Sequence, residues 1–100
     1  MRLHIVFVDV DKRLCVARSS ATEFHLLEMG TPTAARAGDV LVANVGGAAT
    51  LEAFNESRGS LLQMRMLQHF TRVDDAIRAA RQHQSKRSRL ERLLSGGLFR

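Results

Sequence analysis

DVLVANVGGAATLEAFN, residues 39–55, holds two short apolar segments on either side of a pair of glycines. In the first segment Val40 and Val42 alternate with Leu41, Ala43 and Val45, the period of two that puts successive side chains on opposite faces of a strand. Gly46 and Gly47 lack a Cβ and can take the positive φ angles that a tight hairpin turn needs. TLEAFN then returns as a second strand. The stretch reads as a hairpin, and a hairpin in mid-chain sets the expectation for what surrounds it.

Working outward, the same alternation recurs on both sides. Leu3, Ile5 and Phe7 alternate in the first segment, and Asp11-Lys12 offers a turn into RLCVARS, where Leu14 and Val16 alternate with Cys15 and Ala17. Ser19 to Thr22 makes the next turn, and EFHLLEM carries Phe24 and Leu26 on one side. GTPTAARAG, residues 30–38, is the longest irregular link, punctuated by Gly30, Pro32 and Gly38. After the hairpin, ESRG turns into SLLQMRMLQHF, whose Leu62, Met64, Met66 and Phe70 share a face against Gln63, Arg65 and His69. Six short strands at fairly regular spacing predict a mainly β fold. The expectation is a small six-stranded barrel or sandwich, OB-like or SH3-like in general form, followed by one C-terminal α-helix. Phe7, Phe24, Phe54 and Phe70 are spaced as core residues.

The helix is expected to start at Thr71, with Asp74 completing a capping box and Asp75 adding charge at the positive end of the dipole. Val73, Ala76, Ile77 and Ala80 form one apolar stripe that should dock on the strands. RQHQSKRSR, residues 81–89, offers no large apolar residue, and apolar spacing resumes at Leu90, Leu93 and Leu94 before Ser95-Gly96-Gly97. The organisation expected is a barrel domain over residues 1–71, a helix over 72–94 docked through its first half, and a flexible tail over 95–100. A helix of that length runs about 35 Å, and a seventy-residue body is about 28 Å across. The helix should overhang and leave its terminal leucines without cover.

Charge divides the chain in the same way. Residues 1–70 carry seven Lys/Arg and seven Asp/Glu, whereas residues 71–100 carry eight Lys/Arg against three Asp/Glu, so the whole net charge of +5 sits in the last thirty residues. On one continuous helix Arg78, Arg81, Arg89 and Arg92 share a stripe, with Lys86 nearby. Two functional expectations follow. In the first, Leu90, Leu93 and Leu94 bind a partner, a second copy of this chain or another protein, and the arginines keep the segment soluble. The alternative is a basic arm in which Arg78, Arg81, Lys86, Arg89 and Arg92 contact nucleic-acid phosphates, at most about five of them. Against that alternative, all five aromatic residues are Phe and the first seventy residues are neutral, so neither a stacking platform nor a basic groove is expected.

Chemistry is not expected. Cys15 stands alone within an apolar segment and reads as a buried structural thiol. Its solitude excludes an internal disulfide and fits a reducing cytoplasm. His4, His25, His69 and His83 never reach local metal-ligand spacing, and Asp9 with Asp11 reads as turn chemistry rather than a cation site. Gly46-Gly47 lacks the lysine and helix of a phosphate loop. Asn55-Glu56-Ser57 has the form of a glycosylation triplet, but no secretory signal precedes it. Met64 and Met66 read as core fillers. No cofactor motif and no membrane span is expected, and the chain reads as a non-enzymatic, cytoplasmic interaction module.

Overall fold

The computed structural model describes residues 1–31, 34–45 and 50–83. Six strands, β1 (Arg2–Asp9), β2 (Leu14–Ser20), β3 (Glu23–Met29), β4 (Val40–Val45), β5 (Thr50–Asn55) and β6 (Ser60–Phe70), precede one helix, α1 (Val73–Gln82). Every pairing is antiparallel, and the strands close in the order β1-β2-β3-β6-β5-β4. Closure comes from β4 returning to β1, with Leu3 opposite Leu41. It decides between the two expected architectures. The sheet is a barrel, and a closed barrel has no strand edge left open to pair with another chain.

β4 and β5 pair as the sequence suggested, with Ala43 opposite Ala53 and Leu41 opposite Asn55; Gly46 and Gly47 lie outside the described residues. Leu41, Ala43, Leu51 and Ala53 point into the barrel and are buried, while Val42, Glu52 and Phe54 face outward. Turn chemistry is equally local at the β1–β2 connection. The Asp9 carboxylate accepts from the Lys12 backbone N–H at 3.1 Å, and Arg13 takes φ 57° to reverse the chain. Asp9 is thus a turn residue, as its position implied.

Two apolar layers hold the fold. The inner one fills the barrel and is built on Leu3, Ile5, Leu27, Leu41, Leu51 and Met64. The outer one lies between the barrel wall and α1, where Leu14, Val16, Phe24 and Leu26 meet Ala76 and Ala80. β2 and β3 therefore bury both faces: Leu14 through Ala17 and Phe24 through Leu27 are all buried.

The register explains where two phenylalanines depart from expectation. β1 has an extra residue at Val6, between Ile5 opposite Ala17 and Phe7 opposite Val16. β6 likewise has one at Leu67, between Met66 opposite Leu27 and Gln68 opposite Leu26. One extra residue turns the following side chains to the other face. Phe7 leaves the row of Leu3 and Ile5, and Phe70 leaves the row of Leu62 and Met64, so that both pack beneath α1. Phe54 is corrected more sharply. It lies on the outer face of β5 and is 38% exposed.

The helix start is also corrected. The N-cap is Arg72, with extended angles and no side-chain cap, and its carbonyl accepts from the Ala76 N–H at 3.2 Å. Thr71 stands one residue too early to cap. Asp74 and Asp75 do occupy the first turn, where they favour the helix dipole. At the other end His83 takes extended angles, φ −66° and ψ 134°. The described helix therefore stops at the polar stretch where the sequence loses its apolar spacing. The remainder of the helix expected over 72–94, and the tail over 95–100, lie outside the described residues.

Candidate interaction site

The helix is pinned to the barrel at its C-terminal end. Lys12, from the β1–β2 turn, donates its ammonium to the carbonyls of Ala80 and Arg81. Those carbonyls belong to the last turn of the described helix, where a cation meets the negative end of the dipole. Arg81 lies over the Phe7 ring at 5.7 Å from its centroid, a cation–π arrangement. Arg78 reaches Asp75 at 3.9 Å, with both side chains largely exposed, and so contributes little to stability. Of the five basic residues of the alternative reading, Arg78 and Arg81 are described and engage their own chain, while Lys86, Arg89 and Arg92 lie outside the described residues. So do Leu90, Leu93 and Leu94.

Among the described residues, no helix covers the opposite wall of the barrel. There Val42 on β4 stands opposite Phe54 on β5, and Phe54 stands opposite Leu61 on β6. All three face outward, and Leu61 is 85% exposed. They make an apolar row across three strands. One end of the row meets Arg2, which pairs with Glu56 at 2.8 Å, and Glu52 lies beside it on the same outer face of β5. Sequence reasoning missed this row because alternation locates an outward residue without saying which wall the helix covers.

Two polar clusters sit at the ends of the barrel. At the end where β5 finishes and β4 begins, Asp39 Oδ2 accepts from the Arg36 backbone N–H at 2.9 Å, Asn55 Nδ2 at 2.9 Å and Arg58 Nε at 2.8 Å. Asn55 is wholly buried. Its Nδ2 also donates to the Ala34 carbonyl, and its Oδ1 accepts from the Ser57 N–H. Asn55 is thus committed to the fold, which makes it a poor acceptor of a glycan. Burial pushes the Asp39 carboxyl upward, but the hydrogen bonds from Asn55, Arg36 and Arg58, with the guanidinium charge, outweigh it and hold the group below its ordinary 3.8.

At the other end, where β2 and β6 finish, His25 on β3 stands opposite His69 on β6, with ring centroids 5.2 Å apart. His25 Nε2 meets Ser19 Oγ at 2.7 Å, and Ser19 Oγ donates to Glu23 at 3.2 Å. Desolvation lowers the pKa of His25, and the neighbouring His69 lowers it further, while Glu23 acts in the opposite direction. Spacing along the chain gave no sign of this pair, because 44 residues separate partners that strand pairing places side by side.

Cys15 lies inside the barrel wall with no exposure, and burial pushes its thiol up to about 12. A thiol so far from ionising is a poor nucleophile. Ellman's reagent is therefore expected to leave native protein unmodified over minutes at pH 8 and to titrate one thiol in denaturant; prompt labelling of native protein would contradict this placement. Among the described residues no group of three or more His, Cys, Asp or Glu converges as a metal site. No described helix is long and apolar enough to cross a membrane. Comparison with family models, with curated proteins and with solved structures finds no match for this chain.

Proposed function

We propose that the chain is a non-enzymatic assembly module whose C-terminal segment, through Leu90, Leu93 and Leu94, docks on a second copy. The observation that carries the reading is the outward apolar row Val42–Phe54–Leu61 on the wall opposite α1, which no described residue covers. The helix-bearing wall is already occupied by residues 73–82, and Lys12 closes it at Ala80 and Arg81. Seventeen residues follow His83, roughly 55 Å of chain if extended, which is enough to reach a neighbour's barrel. Arg89 and Arg92 flank the leucines in sequence, and Glu52 beside the apolar row supplies the complementary charge.

Each leucine so buried contributes about 1.5–3 kcal/mol before the cost of association is subtracted. A two-fold pair exchanging segments uses the same contact twice, and two-fold dimers are the commonest oligomer. Wild-type protein at micromolar concentration is expected to sediment as a dimer. The triple change Leu90→Ser, Leu93→Ser, Leu94→Ser, and separately Leu61→Ser with Phe54→Ser, are expected to give folded monomers. A monomeric wild type sinks the reading. If an oligonucleotide added at low salt is bound by a monomer, and Arg89 with Arg92 are needed, the basic-arm alternative takes its place.

A further inference from the structure

We propose that His25 and His69 form a two-histidine chelate for a first-row divalent metal ion of zinc, nickel or copper type, bound through Nδ1 of His25 and one ring nitrogen of His69. The site is independent of the assembly reading and lies away from the apolar row on which that reading rests.

The first support is geometric. A metal about 2.05 Å from a ring nitrogen lies about 3.2 Å from that ring's centroid, so two imidazoles bound at a roughly tetrahedral angle have centroids about 5.2 Å apart. The His25 and His69 centroids are 5.2 Å apart with the rings tilted by 56°. The spacing is fixed by the fold, because the two residues are direct partners in the β3–β6 ladder. His69 is exposed and leaves the site an opening to solvent.

The second support is a proton count. Ser19 has one hydroxyl proton, and the Glu23 carboxylate takes it at 3.2 Å. The 2.7 Å contact between Ser19 Oγ and His25 Nε2 must then use the Nε2 proton, with His25 as donor. In a neutral ring that leaves Nδ1 with a bare lone pair. This atom is buried, on a residue only 7% exposed, and it has no hydrogen-bond partner among the described residues. A buried nitrogen in that condition calls for an explanation. A metal ion supplies one, since metal-bound histidines regularly donate their other N–H to a carboxylate or a group leading to one. The run Glu23–Ser19–His25 has that form. Imidazole selects zinc, copper and nickel over calcium or magnesium, and the coordination positions left over go to water.

Zinc binding at pH 7.5, read by competition with a chromophoric zinc indicator on the purified 100-residue chain, tests the inference. One equivalent is expected to bind. His69→Ala, at an exposed position that leaves the fold intact, is expected to weaken binding at least tenfold. Ser19→Ala, which removes the relay from His25, is expected to weaken it about tenfold. His4→Ala is expected to change nothing. Nitrogen-15 spectra of the imidazoles should show His25 Nδ1 shifting on zinc addition, which keeps the assignment testable even if a His25 variant does not fold. Failure of the wild type to compete, retention of full affinity by His69→Ala, or an unmoved Nδ1 signal each overturns the site.

Discussion

Replacing Asp39 with alanine is expected to lower the free energy of unfolding by about 2–4 kcal/mol, because it deletes the acceptor on which three donors converge. Asn55 Nδ2 is the costliest orphan. It is wholly buried and would keep only the longer bond to the Ala34 carbonyl at 3.2 Å. Arg58 keeps access to water, its side chain being 35% exposed, so its loss is smaller. The effect is not confined to one loop. Asp39 donates its own N–H to Arg36 and accepts at its carbonyl from the Ile5 N–H, and the neighbouring Gly38 N–H meets the Ile5 carbonyl at 2.7 Å. Gly38 takes φ 93°, which only glycine adopts without strain. This corner ties the 30–39 connection, β1, β4 and the β5–β6 turn together. Chemical denaturation at neutral pH measures the loss, and a change under about 1 kcal/mol would show that the corner is not holding the barrel end.

The same carboxylate gives the stability a pH dependence of definite sign. Its folded pKa lies below the ordinary 3.8, so between the two values the unfolded chain binds more protons than the folded one. Stability then rises with pH across that window. The contribution is complete above the unfolded value and is lost as pH falls through the folded one. The stability gap between wild type and Asp39→Asn is therefore expected to be flat above about pH 5 and to close progressively below pH 4.

Strand identity was legible because alternation is local, and the clearest cases are Leu41 and Ala43 against Val42, and Leu62 and Met64 against Gln63. What the sequence did not yield depends on pairing. Val6 and Leu67 look like ordinary strand residues, and only the partner strand reveals each as an extra residue that sends Phe7 and Phe70 outward. Leu14 to Ala17 are apolar on both faces, a pattern that fits a strand beneath a helix, but nothing local says which strands the helix crosses. Asp39 reads as the polar start of a strand, and its three donors come from positions 36, 55 and 58. His25 and His69 are the extreme case, meeting only through the β3–β6 ladder. The basic stripe was legible as composition, and within the described helix Arg78 and Arg81 turn to Asp75 and Phe7.

Ala76→Asp is expected to be the most damaging single change in the helix, at about 3–4 kcal/mol, since it sets an unpaired charge where no water reaches. Ala76 and Ala80 are one turn apart, and neither has any exposure. The helix lies close to the barrel because these two side chains are small, with Leu14, Val16 and Leu26 filling the other side of the seam. Ile77 belongs to the same apolar stripe and is its largest side chain. It is half-buried at the flank, where an introduced carboxylate can turn to solvent, so about 1–2 kcal/mol is expected for Ile77→Asp. A chain ending at His83 keeps the seam, the Lys12 contacts at Ala80 and Arg81, and the Arg81–Phe7 stack. It should unfold cooperatively within about 1 kcal/mol of wild-type monomer. In a domain of this size each kcal/mol moves Tm by about 4–8 °C, so thermal melts separate the three chains. Should Ile77→Asp prove costlier than Ala76→Asp, the alanine seam is not the contact that docks the helix.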